Sequence, residues 1–113
     1  MSSNTCFGGF RAMWVIAFFD LPVDTKAARK AYREFHAALI DDGFDMMQYS
    51  VYCRPCPSGE NAEVHHLRIK SFLPPDGEVR VMLLTDKQFE RMAVYRGKIR
   101  GPTERQPEQL TFL

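Results

Sequence analysis

One carboxylate, Asp20, follows directly on an unbroken apolar run over residues 12–19. A strand exit of this kind is where open sheets present groups to ligands. Asp and Asn near a helix start are also frequent caps, but Asp24 and Thr25 are better placed for that job here. A single carboxylate makes a poor cation site. Two copies of Asp20 facing each other across a dimer axis would bind one divalent cation, and hard oxygen ligands suit Mg²⁺.

Lys26, Arg29, Lys30 and Arg33 recur at three and four residues, so a helix would project all of them from one side with no acid among them. Cations in the first turns oppose the helix macrodipole, and like charges four residues apart repel. The arrangement therefore carries a small stability cost that a simple solvated face need not bear. A stripe facing phosphate explains the placement; a solvated basic helix is the alternative. Lys98, Arg100 and Arg105 are weaker candidates of the same kind.

The pair in Cys53-Arg54-Pro55-Cys56 invites a redox or zinc reading. Structural zinc needs a second ligand pair, and the remaining sources are Cys6 and the adjacent His65 and His66, whose spacing does not fit. A thioredoxin-like pair sits at a helix start, whereas Pro57, Ser58 and Gly59 follow here. Reduced, unliganded cysteines are the expectation. His65 and His66 read as one helix face and its edge, and His36 carries no motif. Ser50 has no histidine near it in sequence, and no Gly-rich phosphate loop, Ser/His/Asp set or HExxH occurs.

These residues belong to a chain of 113, 45% hydrophobic, with 15 Lys+Arg against 14 Asp+Glu and a net charge of +1. That is one ordinary domain, not a polybasic chain. At this length folding buries only about two-thirds of the surface, which makes oligomerisation a live prior. The longest apolar run falls far short of the roughly 20 residues of a membrane span. With no basic leader segment and an odd count of three cysteines, the chain reads as cytoplasmic. Residues 1–12 read as a flexible extension and 13–97 as the domain. Residues 98–113 read as a linker ending in a β-prone arm at 109–113.

Within the domain, an apolar strand at 13–19 precedes a helix capped by Asp24 or Thr25 and running to about Asp42. Residues 44–54 read as two short strands meeting near 48–50, and 61–73 as a second helix. A strand at 78–84, one helical turn at 86–90 and a short strand at 92–96 complete the order. The pattern β-α-β-β-α-β defines an α+β, ferredoxin-like architecture with two helices on one sheet face. Two helices cannot cover both faces of a sheet, yet the first strand is apolar on both. A two-fold homodimer packed sheet on sheet would cover the second face.

Phe19-Asp20-Leu21-Pro22, the basic helix with Arg29-Lys30, Gly43-Phe44 and Gln48-Tyr49-Ser50-Val51-Tyr52 occur in that order. The set resembles the CRISPR-associated protein two family, the smaller of the two proteins of spacer acquisition, over about residues 13–97. Residues 75–81 and 84–89 further resemble the versions that accompany type II systems. The resemblance implies a homodimer that bridges the CRISPR-associated integrase and helps hold protospacer duplex DNA in antiviral defence. It also implies a metal-dependent endonuclease acting on RNA or DNA. On the family pattern Asp20 is the strand-end aspartate shared across the dimer, with Mg²⁺ as the metal. Arg29 occupies a basic first-helix position, and Tyr52, which stands where a Phe is usual, is expected to join Lys26, Arg29, Lys30 and Arg33 in binding nucleic acid. Two hypotheses follow. One is a non-catalytic DNA-binding adaptor; the other is a Mg²⁺-dependent phosphodiesterase acting on single-stranded RNA or DNA, weakened by a single acid per subunit and no evident general base.

Overall fold

The computed structural model describes residues 12–97. Expectations for the N-terminal extension before Ala12, for Lys98, Arg100 and Arg105, and for the arm at 109–113 lie outside the described residues. In chain order the elements are β1 (Met13–Asp20), α1 (Lys26–Asp41), β2 (Asp45–Gln48), β3 (Val51–Cys56), α2 (Gly59–Ser71), β4 (Glu78–Thr85) and α3 (Asp86–Glu90). The strands form one antiparallel sheet in the order β2-β3-β1-β4. This is the ferredoxin-like arrangement.

β1 occupies the interior of the sheet, between β3 and β4, and its side chains alternate between two apolar clusters. Val15, Ala17 and Phe19 pack with Phe35 and Leu39 of α1, Ala62 and Ile69 of α2, and Phe44, Tyr52 and Cys56. Phe19 meets Phe35 edge-on at 5.1 Å, and Phe35 lies 5.8 Å from Phe72. On the opposite face Trp14, Ile16 and Cys53 pack with Phe18, Met47, Val51, Leu84 and Phe89.

Part of that second face is covered from within the chain. α3 turns back so that Phe89 stacks on Trp14 at 3.8 Å and 6°, and the Trp14 indole N–H donates to Asp86 Oδ1 at 2.7 Å. At the other end Phe18 and Val51 are half-buried, and Met82 is 44% exposed. The strand expected at 92–96 is absent. Residues 91–97 are exposed throughout and pair with no sheet edge among the described residues; β-prone side chains make a strand only where an edge accepts their backbone.

Helix ends follow local chemistry. Thr25 caps α1 by accepting from the Ala28 N–H at 3.0 Å, Ser58 caps α2 through Asn61, and Thr85 and Gln88 form a capping box on α3. α1 closes in a Schellman motif: Phe44 N–H donates to the Leu39 carbonyl and Gly43 N–H to that of Ile40, with Gly43 at φ +89°. The capping residue, Asp42, ties three elements together. Its carbonyl accepts from Arg54 Nε of β3 at 2.8 Å, and its buried carboxylate takes His65 Nδ1–H and Arg68 Nη1–H of α2, each at 2.7 Å.

Burial opposes ionisation of Asp42, but the hydrogen bonds from His65 and Arg68 outweigh it and hold the carboxyl below its ordinary value. A depressed folded pKa contributes stability that is present above the unfolded value, about pH 4, and is lost as pH falls through the folded value. Asp42→Asn should therefore lower the urea midpoint at neutral pH, with the gap from wild type shrinking below about pH 4; a gap constant with pH would contradict the pairing. Gly77, at φ +92°, leaves room where a Cβ would lie 2.7 Å from the Asp20 carbonyl oxygen. Gly77→Ala should cost about 1–3 kcal/mol in chemical denaturation, whereas Gly59→Ala, with open space around it, should not destabilise.

Candidate nucleic-acid interface

Several of the singled-out residues gather where β1 leaves the sheet. Asp20 is exposed there, on the face opposite the helices by strand parity. The turn that precedes β4 passes against its backbone, since only a glycine at 77 fits beside the Asp20 carbonyl. Register then sets Glu78 directly across from Asp20. Glu78 in turn receives a hydrogen bond from Arg80 Nη2 at 3.1 Å.

Glu78 was not anticipated from sequence, although a signal existed. β1 and β4 are both eight residues long and antiparallel, so the last residue of one must lie beside the first of the other. The β2–β3 turn reaches the same end: Phe19 N–H donates to the Ser50 carbonyl at 3.1 Å.

α1 starts from this end as well. Lys26, Arg29, Lys30 and Arg33 are all exposed. No acid occupies the first turn of α1 and no base its last, so the helix opposes its own macrodipole, whereas α2 has Glu60 in its first turn and Arg68 and Lys70 in its last. Two members of the stripe have internal partners. Arg29 donates to the Val23 carbonyl at 3.0 Å, bracing the loop before the helix. Lys30 lies 3.6 Å from Glu34, an exposed pair of little energetic weight.

Tyr52 does not join this surface. It is 2% exposed, stacked against Phe19, with its hydroxyl 2.5 Å from His36 Nδ1; burial pushes the phenol up. The aromatic that is accessible at this end is Tyr49. Cys53 and Cys56 are both buried and fall in clusters on opposite faces of the sheet, so they cannot converge on one metal or on each other. Burial pushes the Cys53 thiol up to about 11, with the nearby Asp45 adding to it, and burial likewise raises Cys56.

For a cation, one chain supplies an incomplete donor set. Among the described residues no three His, Cys, Asp or Glu side chains come together as a metal cluster. Asp20 offers half of a site at most, with Glu78 already engaged by Arg80.

Sheet order, a strand-end carboxylate and a cationic first helix together define a small ferredoxin-like domain with one charged rim. A family model described as "CRISPR associated protein Cas2" matches residues 13–92. The chain is 59% identical over 98 residues to the "CRISPR-associated endoribonuclease Cas2" of Parvibaculum lavamentivorans, covering 87% of this chain and 97% of that one. It is 48% identical over 101 residues to the protein of the same name from Flavobacterium psychrophilum, covering 89% and 88% respectively. A solved structure titled "Crystal structure of cas2" shares the fold, with a TM-score of 0.51 at 22% identity over 80% of this chain and 95% of that one. The chain therefore belongs to the CRISPR-associated Cas2 family.

If the α1 stripe holds phosphates, reversing Lys26, Arg29, Lys30 and Arg33 to Glu should weaken duplex binding and flatten the slope of log K against log salt by about 0.9 for each phosphate no longer neutralised. Fluorescence anisotropy across a salt series measures this, and an unchanged slope would remove α1 from the interface.

Proposed function

We propose that this Cas2-family chain acts in the cytoplasm as a homodimeric adaptor of spacer acquisition, gripping protospacer DNA by its backbone and bridging the CRISPR-associated integrase. The observation that carries this reading is the exposed cationic stripe of α1, set against the helix dipole where its charge disfavours the helix. Contacts of this type go to phosphates and are indifferent to base sequence, as befits a protein that must accept any protospacer. The apolar second sheet face, still partly open around Phe18, Val51 and Met82, supports a sheet-on-sheet dimer. Among the described residues no helix is long and apolar enough to cross a membrane.

A second reading is an endonuclease cleaving single-stranded RNA or DNA with Mg²⁺. The exposed strand-end Asp20 favours it, as does the word endoribonuclease in the names of the relatives. Mg²⁺ would sit between two Asp20 carboxylates and supply Lewis-acid stabilisation of the phosphate; it needs only one or two protein carboxylates, the rest of its shell being water and phosphate oxygens. The second copy is what would complete the donor set.

Asp20→Ala separates the two readings. On the adaptor reading, the variant loses any cleavage of labelled RNA or DNA yet still supports spacer acquisition with the integrase, and EDTA abolishes cleavage without releasing bound duplex. Loss of acquisition in a variant whose dimer is intact would sink the adaptor reading.

A further inference from the structure

The β2–β3 connection breaks the usual turn chemistry. Gln48 pairs with Val51, leaving Tyr49 and Ser50 as a two-residue turn, and Ser50 adopts φ +62°. A turn position with positive φ is ordinarily filled by Gly, Asn or Asp. Here it carries a serine, preceded by a tyrosine with 76% of its surface exposed. Local departures of this kind persist where the surrounding structure enforces them, and they collect at functional sites.

The turn is held in place despite its exposure. Its Ser50 carbonyl accepts the Phe19 N–H of the buried central strand at 3.1 Å. From α1, the half-buried Tyr32 neighbours it: burial pushes that phenol up, Tyr49 pushes it further, and Ser50 pulls it back. Tyr95 is more exposed, at 90%, but lies in an irregular stretch with no comparable anchor among the described residues.

The residues that hold the turn adjoin the strand-end acid and the cationic stripe in sequence. Phe19, bonded to the turn, precedes Asp20; Tyr32, beside the turn, lies three residues after Arg29 and one before Arg33. An anchored aromatic face next to backbone-binding cations is how sequence-tolerant proteins hold single strands. A base inside a duplex already has both faces stacked and offers none to a side chain.

On this basis, and resting on the nucleic-acid reading above, we infer that Tyr49 is a stacking platform for an unpaired base and gives this surface a preference for single-stranded or splayed nucleic acid over blunt duplex. The phenol ring supplies the contact, and the backbone bond between Ser50 and Phe19 fixes the turn that carries it.

The test compares a labelled single-stranded oligonucleotide with a blunt duplex of the same length at fixed salt, using the full chain. Tyr49→Ala should weaken single-strand binding about tenfold and leave duplex binding unchanged, while Tyr49→Phe should retain single-strand affinity. A strand carrying 2-aminopurine should lose fluorescence on binding wild type but not on binding Tyr49→Leu, which keeps apolar bulk without a ring. Equal losses on both oligonucleotides, no loss on either, or undiminished quenching by Tyr49→Leu would each overturn the assignment. If wild type binds and reversal of the α1 charges still weakens it, such a result removes Tyr49 alone. Should wild type bind neither oligonucleotide, the nucleic-acid reading and this inference fall together.

Discussion

Everything in this molecule depends on burying both faces of one strand. β1 has a neighbour on each side and an apolar cluster above and below, so sliding by a residue would send every side chain it hides into the opposite, differently shaped cluster. That constraint sets where the strand stops. Asp20 is the first residue of the run too polar for either cluster, and it emerges at the rim. The β2–β3 turn, the start of β4 and the start of α1 are delivered to the same rim by registers that β1 imposes. A chain of this size thus presents a charged end without dedicating an insertion to it.

A second constraint operates at the opposite end of α1. With acids rather than bases in its last turn, the helix needs hydrogen-bond donors from elsewhere, and Asp42 finds them in His65 and Arg68 while its carbonyl holds Arg54. A buried carboxylate with two charged or polar donors is far costlier to break than to keep. α1, α2 and β3 are therefore locked together away from the rim.

Much of this was legible in the order of residues. The apolar run without alternation marked a doubly covered strand, Thr25 as one of two candidate caps and the run to about Asp42 bounded α1, and the two short strands before Pro57 met where expected. Tyr52 was legible too: Val51 and Cys53 share a face, so strand parity sends Tyr52 to the helix side, where His36 waits. Family likeness had drawn it to the surface instead. What went unread were facts of long-range pairing. The proximity of Glu78 to Asp20 depends on register across a gap of more than fifty residues. The partial cover of the second face depends on α3 folding Phe89 onto Trp14. The β-prone stretch at 92–96 pairs with neither sheet edge among the described residues.

The reversed polarity of α1 also links folding to ionic strength. Mobile ions screen the repulsion among Lys26, Arg29, Lys30 and Arg33 and their quarrel with the helix dipole, so added salt stabilises the free fold through this helix. The same ions compete for a polyanion and weaken its capture. If α1 grips a polyanion as proposed, stability and grip respond to salt with opposite signs, and a bound polyanion would do for α1 what salt does, by thermodynamic linkage making the loaded protein harder to unfold than the empty one.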